Sequence, residues 1–431
     1  MKYVTYVLFG VLLLVGSALA VEDLPLFHRW MPDSIVPRPP VYHWTLDNGL
    51  DVLFWENHTV PVVSARALVK TGSVDEEKYL GCGISHYLEH IISSGTTSKH
   101  TEDEYKTMVK ENGLMMNAFT SNDVTCYYGT APKNNFSILL SILADCVQDC
   151  AFDTFEINRE KKVIVQEISK GEEEPGRAIW KLFNELYYKV NPYRYPTIGY
   201  RECFLALTRE DLMDYYNRRY APNNSILAIA GDLDTTRAKH LADSLWSGWQ
   251  RRSIFNPAMP NEPLPIAARV REREMDTEVS SMRMGFPTAF YGEADMTALY
   301  ILGMVLSGTA TSRLDMRLVN CDNPIATSIS AYSRESYRIR GQFLISAQFE
   351  YEKRDILLDA IWDEIEKVKT NGITPKELAW AKGYIAKNIL RENETVDGQT
   401  RSMMFTFMNE GKPFVMDFRL SSLNKVTLDD V

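Results

Sequence analysis

The sequence predicts an α+β fold built from two duplicated halves, and three observations lead to this prediction. Strand-like segments are interspersed with long helical patterns instead of alternating strictly in βαβ units. A faint internal repeat runs along the chain, which at 431 residues is too long for one ordinary domain. The composition, with 45% hydrophobic residues, is sufficient to bury sizeable cores.

The repeat consists of three pairs of similar segments in the same order. The pairs are Val63–Ala67 with Val279–Arg283 at an offset of 216, Ser94–Ser98 with Ser307–Thr311 at 213, and Leu207–Leu212 with Val426–Val431 at 219. Any one pair is compatible with chance. Three pairs at a nearly constant offset indicate duplication of a unit of somewhat over 200 residues.

Local patterns predict the elements of the first half. The predicted strands are a hairpin over Val41–Trp55 with its turn at Asp47–Gly49, a strand over Val62–Val69 and another over Ile226–Ala230. The predicted helices begin near Gly83 and, with a capping pattern, at Thr101, and further helices cover Asn135–Cys150 and Phe155–Ile168.

The first 20 residues have the pattern of a secretory signal peptide. A positive start at Lys2 is followed by a mostly apolar run over Val4–Val15 and by the small-residue site Ala18–Ala20. The apolar run is too short for an ordinary membrane span, although an uncleaved anchor is the alternative. We expect a mature chain that begins near Val21, is periplasmic or secreted, and has no stable membrane span.

Charge and cysteine content narrow the class of protein. The net charge of −10 and the lack of a basic run with interleaved aromatic residues argue against nucleic-acid binding. Six cysteines permit disulfides in an oxidising compartment, but their spacing is not that of a small disulfide scaffold.

The segment His86–His90 reads His-Tyr-Leu-Glu-His and predicts a zinc site. Residues four apart share one helix face, so His86 and His90 can bind the same ion while Glu89 faces a bound water as general base. Catalytic zinc needs a third protein ligand. Glu160 and Glu167, seven residues apart on one face of a predicted helix, are the candidates.

This inverted H-x-x-E-H motif resembles that of the insulinase/pitrilysin family of zinc metallopeptidases. The family places its third ligand, a Glu, about 77 residues after the second His, and here 167 − 90 = 77. The resemblance implies that Glu167 is this ligand and that Glu160 orients a ligand His from behind the metal. For Glu160, a solvated helix face is the plainer interpretation.

The resemblance extends to Gly113–Thr120, which is similar to the family's strand that pairs with the substrate backbone. It implies that Asn117 hydrogen-bonds the substrate main chain and that Ala118 and Phe119 offer an edge for strand addition. Asn117 as a simple turn residue is the alternative.

The family fold implies two α+β halves, each an antiparallel-rich sheet covered by helices, which close around the peptide like a clamp. We expect a catalytic domain over residues 21–250, a proline-rich linker over 251–268 and a non-catalytic homologous domain over 269–431. At the offset of 213 the zinc motif falls on Leu299–Gly303, which retains no metal-binding atom.

Two features depart from the family pattern. Val319 and Thr327 stand where many members carry an Arg and a Tyr aimed at the substrate, in a pattern that resembles bacterial exported relatives. The second half also stops at Val431, where its next helix should begin. Either the chain is truncated there or a partner completes the sheet.

The sequence therefore predicts a zinc-dependent endopeptidase or oligopeptidase, with one Zn²⁺ per chain, that hydrolyses peptides or unfolded polypeptides. Zinc would activate a water, and Glu89 would remove its proton and later protonate the leaving amine. The main alternative is a non-catalytic or partner-dependent subunit of a homodimer or a heterodimer with a related chain. A zinc hydrolase acting on a cell-wall amide or ester is a weaker alternative, because such substrates have little use for an edge strand.

Overall fold

The computed structural model describes residues 41–412 and 416–431. The predicted signal peptide, residues 1–20, lies outside them. The strands are β1 (Val41–Thr45), β2 (Asp51–Glu56), β3 (Val62–Val69), β4 (Met115–Thr120), β5 (Thr125–Pro132), β6 (Ser225–Gly231), β7 (Ser280–Pro287), β8 (Ala326–Arg334) and β9 (Gln342–Phe349).

The helices of the first half are α1 (Ile84–Ser94), α2 (Glu102–Glu111), α3 (Phe136–Gln148), α4 (Thr154–Glu173), α5 (Pro175–Tyr187), α6 (Arg201–Ala206), α7 (Arg209–Arg219) and α8 (Thr235–Trp246). Those of the second half are α9 (Asp295–Ser307), α10 (Arg313–Leu318), α11 (Arg354–Asn371), α12 (Pro375–Glu392), α13 (Val396–Glu410) and α14 (Met416–Lys425).

Six strands form the sheet of the first half, in the order β1-β2-β6-β3-β5-β4. The predicted hairpin is confirmed: β1 and β2 pair in antiparallel fashion around a turn in which Gly49 has a φ of +89°. Strand β6 joins β2 in parallel, and the remaining pairs are antiparallel. Strand β4 pairs only with β5 among the described residues, which leaves it at the edge of the sheet.

Both faces of this sheet are covered. Every residue of β6 is buried, as expected for a strand between two layers. On one face the core includes Leu88 of α1 and Trp246 of α8. On the other face Met403 and Phe407 of α13 pack against the sheet. Helix α13 belongs to the second half in sequence but covers the sheet of the first.

The second sheet repeats part of the first. Its order, β7-β9-β8, reproduces that of β3-β5-β4, and in each half the first of these strands is followed by two helices. Helix α9 occupies the place of α1. The predicted α+β fold of two duplicated halves is confirmed. Within the described residues, β7 pairs only with β9.

The segment between the halves, residues 250–279, contains no helix or strand. It is fastened to the first half by Glu262, whose carboxylate accepts hydrogen bonds from the backbone N–H groups of Lys189, Val190 and Asn191. The connection therefore follows the surface of the first half before β7 begins.

Candidate active site

Two glycines with left-handed backbone define the helix that carries the motif. Helix α1 begins after Gly83, with a φ of +72°, and ends at Gly95, with a φ of +86°. A Cβ on Gly83 would collide with the carbonyl oxygen of Ile198. Glycine at position 83 therefore allows the positive φ and leaves room for the close approach of Ile198 at the start of α1.

A buried carboxylate satisfies the first N–H groups of α1. Glu76 is fully buried, and its two oxygens accept hydrogen bonds from Gly83 N at 3.2 Å and Ser85 N at 3.0 Å. The first N–H groups of a helix have no partner within the helix, and Glu76 supplies two acceptors for them, although burial raises the pKa of Glu76 to about 8. Glu76 thus fixes the end of α1 that lies next to His86.

The structure brings His86, His90 and Glu167 together. One nitrogen of each imidazole and one carboxylate oxygen lie within 4.8 Å of one another. Glu167 Oε2 is 3.9 Å from His86 Nε2 and 3.7 Å from His90 Nε2. These separations are too long for hydrogen bonds, and ligand atoms around a tetrahedral Zn²⁺ lie about 3.4 Å apart. The three side chains fit a zinc ion after a small contraction.

Glu160 lies on the side of the His90 ring away from Glu167. Its Oε2 is 3.1 Å from His90 Nδ1, while its Oε1 accepts a hydrogen bond from Arg159 Nε at 3.0 Å. A carboxylate on Nδ1 fixes that nitrogen as the donor and leaves Nε2 as the free lone pair. His90 therefore presents Nε2 towards Glu167.

The environment of His86 favours its neutral form. Burial, followed by the charges of His90 and Arg177, lowers the pKa of His86 to about 3. A neutral imidazole is the form that binds a metal. Its Nδ1 is buried and has no hydrogen-bond partner among the described residues. Nε2 is therefore the nitrogen that this ring offers to a ligand.

Glu89 lies on the same helix and faces a cleft. Burial raises the pKa of Glu89 above its usual value, and Glu167 adds to the rise, while Thr120 and His90 oppose it. A carboxyl group with a raised pKa beside a metal site is suited to accept and return a proton.

The cleft joins the motif to the edge strand. Its volume is about 350 Å³, and its lining includes Glu89 and His90 from α1 and Asn117 and Ala118 from β4. Ala118 N donates to Asn117 Oδ1 at 2.8 Å. The N–H of Ala118 therefore lies on the open edge of β4, where it is available to the carbonyl of an added strand.

Phe119, the third residue implied to bind substrate, projects to the other face of the sheet. Its ring lies 6.1 Å from that of Tyr128 and 6.5 Å from that of Phe405 on α13. Phe119 does not line the cleft, because its ring is held in these aromatic contacts within the core under α13. The structure brings Asn117 and Ala118 to the cleft and the side chain of Phe119 to a core.

Three contributors to the site were missed by sequence reasoning. Thr120 could have been found, because residues two apart in a strand share a face and Ala118 was already implicated. Glu76 and Arg177 act through long-range contacts, the latter with its Nη1 3.6 Å from Glu167 Oε1. No local pattern marks either residue. Thr327, in β8, donates to the carbonyl of Gln348 in its own sheet.

Two family models match in succession along the chain. The model of the insulinase family, peptidase family M16, covers residues 51–200, and that of the peptidase M16 inactive domain covers residues 206–383. Each thus falls mainly on one half of the fold. The chain belongs to the insulinase family. The match to the inactive domain covers the half in which α9 replaces the motif helix.

Relatives of this insulinase-family chain are similar along almost their whole length. An uncharacterized zinc protease of Bacillus subtilis, YmxG, is 26% identical over 396 residues, which cover 91% of this chain and 94% of that protein. An uncharacterized zinc protease of Rickettsia felis is 27% identical over 389 residues, with 90% and 92% covered.

Solved structures share the insulinase-family fold. A protease from Helicobacter pylori superposes with a TM-score of 0.83 at 22% identity and covers 91% of this chain and 95% of that one. A peptidase M16 inactive domain from Pseudomonas fluorescens gives 0.81 at 18% identity, with 90% and 93% covered. Across the described part of the chain, no helix is both long and apolar enough to cross a membrane.

Proposed function

We propose that this chain is a zinc-dependent peptidase that hydrolyses peptide bonds, with His86, His90 and Glu167 as its metal ligands. One observation carries the proposal. The three ligand atoms lie within 4.8 Å of one another, and the cleft beside them is lined by Glu89 and by an open edge strand. The similarity to chains named zinc proteases supports it.

A bound Zn²⁺ would supply a Lewis acid that lowers the pKa of water and polarises a carbonyl. The residues of the chain provide the rest. Glu89 Oε accepts the proton of the attacking water and returns it to the leaving amine. Glu160 holds His90 in the orientation that exposes Nε2. Arg177 Nη1 lies 3.6 Å from the second oxygen of Glu167.

The edge strand defines the class of substrate. A peptide added beside β4 would replace Asn117 Oδ1 as the acceptor of the Ala118 N–H. Strand addition requires an extended backbone, so the substrate is a flexible peptide or an unfolded segment of polypeptide. Thr120, two residues along β4 from Ala118, opposes the rise that burial causes in the pKa of Glu89, so the end of the added strand would lie beside the general base.

We also propose that the protein is exported to the periplasm or secreted. The signal-like pattern of the first 20 residues supports this location. So does the disulfide between Cys82 and Cys203, because disulfides persist in oxidising compartments.

A non-catalytic or partner-dependent subunit is the second candidate. It is favoured by Thr327, whose hydroxyl group is bonded within its own sheet at the position where the resemblance to the family implies a Tyr aimed at the substrate. In that case a related chain would supply the missing group.

The decisive experiment combines metal analysis with hydrolysis of an internally quenched peptide library. We expect one zinc per chain, hydrolysis that a chelator abolishes, and retained zinc without hydrolysis in Glu89→Gln. Glu111→Gln, an exposed carboxylate at the end of α2, is the matched control and should behave as the wild type. Full activity in Glu89→Gln would contradict the mechanism. Bound zinc with hydrolysis only after addition of a related chain would favour the second candidate.

A further inference from the structure

A single arginine of the second half reaches the base of the metal helix. Arg338 lies in the loop between β8 and β9, and its two terminal nitrogens bind the two carboxylate oxygens of Asp75 at 3.0 and 2.9 Å. The side chain of Arg338 is 18% exposed and that of Asp75 only 2%. This bidentate, buried ion pair joins the two halves.

Asp75 is the immediate neighbour of the residue that caps α1. Glu76, next in the chain, accepts from Gly83 N and Ser85 N. Ser85 precedes His86. Because Asp75 and Glu76 are consecutive in one hydrogen-bonded turn, in which Gly72 N donates to Asp75 Oδ2, we expect a displacement of Asp75 to move Glu76 and with it the first turn of α1.

The same guanidinium group also lies beside the end of the edge strand. Arg338 Nη1 is 3.6 Å from Asp123 Oδ1, in the turn that follows β4. That turn is bonded to the turn of Asp75, since Ser73 N donates to Ser121 O and Val74 N to Asn122 O. The loop before the motif helix and the turn after the substrate strand therefore meet at Arg338.

The local charges make this contact strong. Arg338 lies beside two carboxyl groups, those of Asp75 and Asp123. The first half supplies Arg219, whose Nη2 is 3.7 Å from Asp75. Arg219 alone, at this longer distance, compensates the charge of Asp75 less well, so removal of Arg338 is unfavourable. Without Arg338 the turn of Asp75 would be expected to shift towards water.

We propose that Arg338 is a positioning residue of the peptidase, through which the second half holds the metal helix α1 and the edge strand β4 in one fixed relation. This inference rests on the proposed function. It can be tested without measuring activity, because we expect the loss of Arg338 to loosen α1 and β4 in the free protein. The second half thus contributes to the chemistry without touching the reacting atoms.

The experiment compares Arg338→Ala with two matched variants. Arg340→Ala removes an arginine of the same loop that donates to Thr288 of its own half. Asp397→Asn breaks another ion pair between the halves, in which Asp397 lies 2.7 Å from Arg66. The readouts are amide hydrogen exchange without substrate, kcat and KM for a quenched peptide, and zinc affinity by competition with a chelating indicator.

In Arg338→Ala we expect faster exchange at residues 83–94 and 115–123, with exchange in β9 unchanged. The melting temperature should fall, because the buried Asp75 loses its bidentate partner. We expect kcat to fall about tenfold or more, because small misplacements of reacting groups are costly, and KM to change less. Arg338→Lys retains the positive charge but not the planar guanidinium group, so its exchange rates and kcat should lie between those of the wild type and those of Arg338→Ala. Arg340→Ala and Asp397→Asn should leave exchange at both segments unchanged.

Unchanged exchange at both segments in Arg338→Ala would overturn the inference, as would the same local loosening in Asp397→Asn. If Arg338→Ala does not fold, Arg338→Lys decides: faster local exchange with a lowered kcat supports the inference, and wild-type behaviour overturns it. If the wild type hydrolyses no peptide, the proposed function fails, while local loosening in the variants would still support the positional coupling.

Discussion

Glu160 Oε2 lies 3.1 Å from His90 Nδ1, on the side of the ring opposite to the nitrogen that faces Glu167. The contact determines which imidazole nitrogen is available to a metal. We expect Glu160→Ala to weaken zinc binding by about 10–100-fold, because the ring then loses its tautomer and its orientation. Competition with a chromophoric chelator measures the change.

The matched control for Glu160 is Glu172→Ala, on the same helix α4 but 44% exposed and paired with Lys181. It should bind zinc as tightly as the wild type. Equal affinity in Glu160→Ala and the wild type would show that His90 is oriented by its packing alone, and Glu160 would then be a residue of a solvated helix face.

The backbone N–H of Ala118 provides a second prediction. Ala118→Pro removes the donor that the open edge offers, and proline is tolerated on an edge strand where the N–H is not used by the sheet. We expect kcat/KM for peptides to fall about tenfold, as for the loss of one or more main-chain hydrogen bonds, with little change in melting temperature.

Ala118→Gly separates the loss of the donor from the loss of the methyl group, because glycine retains the N–H. Its kcat/KM should remain close to that of the wild type. Equal losses in the proline and glycine variants would indicate that the Ala118 side chain, and not its backbone, matters to the cleft.

The disulfide between Cys82 and Cys203 joins the residue before Gly83 to helix α6 and closes a sequence separation of 121 residues. Cys82→Ser/Cys203→Ser should lower the free energy of unfolding by about 2–5 kcal/mol, because the unfolded chain regains freedom and the start of α1 loses an anchor. Thermal melting measures the loss. Cys321→Ser, at an exposed free cysteine, is the control. Alkylation of both Cys82 and Cys203 in the unreduced native protein would contradict the prediction.

The parts of the fold that local patterns specify were predictable. The hairpin at Asp47–Gly49, the capped helix that begins after Thr101, and the helix face shared by His86 and His90 depend on neighbours a few residues apart. Glu167 could be predicted as the third ligand only from the spacing in the family, because no local sequence pattern relates it to His90.

The contacts that escaped prediction join residues remote in sequence. Met403 of α13 shares a core with Leu68 of β3, which lies 335 residues before it in the sequence, since 403 − 68 = 335. Asp75 and Arg338 are 263 residues apart. The sequence around an arginine in a loop, or along an apolar helix face, does not indicate which remote residue it contacts. The sequence of β6 did carry one sign, an unbroken apolar run. Such a run indicates a strand that is buried on both faces, and therefore a second layer that covers the first sheet.

The acid stability of the second half depends on Glu377. Its carboxylate accepts from Arg313 Nε at 2.6 Å and Nη2 at 2.8 Å, and also from the backbone and hydroxyl group of Thr374. The hydrogen bond from Arg313, supported by those from Thr374, lowers the pKa of Glu377 from 4.5 to about 2. The ionised form therefore stabilises the folded state above pH 4.5, and this contribution is lost as the pH falls from about 4.5 to about 2.

We expect Glu377→Gln to lower the free energy of unfolding at pH 7 by about 1 kcal/mol, less than the full shift implies, because the side chain is 27% exposed and water screens it. Urea unfolding at a series of pH values measures the cost, which should shrink steadily below pH 4.5 as the wild-type carboxylate becomes protonated. Glu366→Gln, which breaks a pair with Lys369 at 59% exposure, should cost less at pH 7. If the cost of Glu377→Gln is the same at pH 3 and pH 7, the glutamate stabilises the second half through its shape, and the charge of the Arg313 pair contributes nothing.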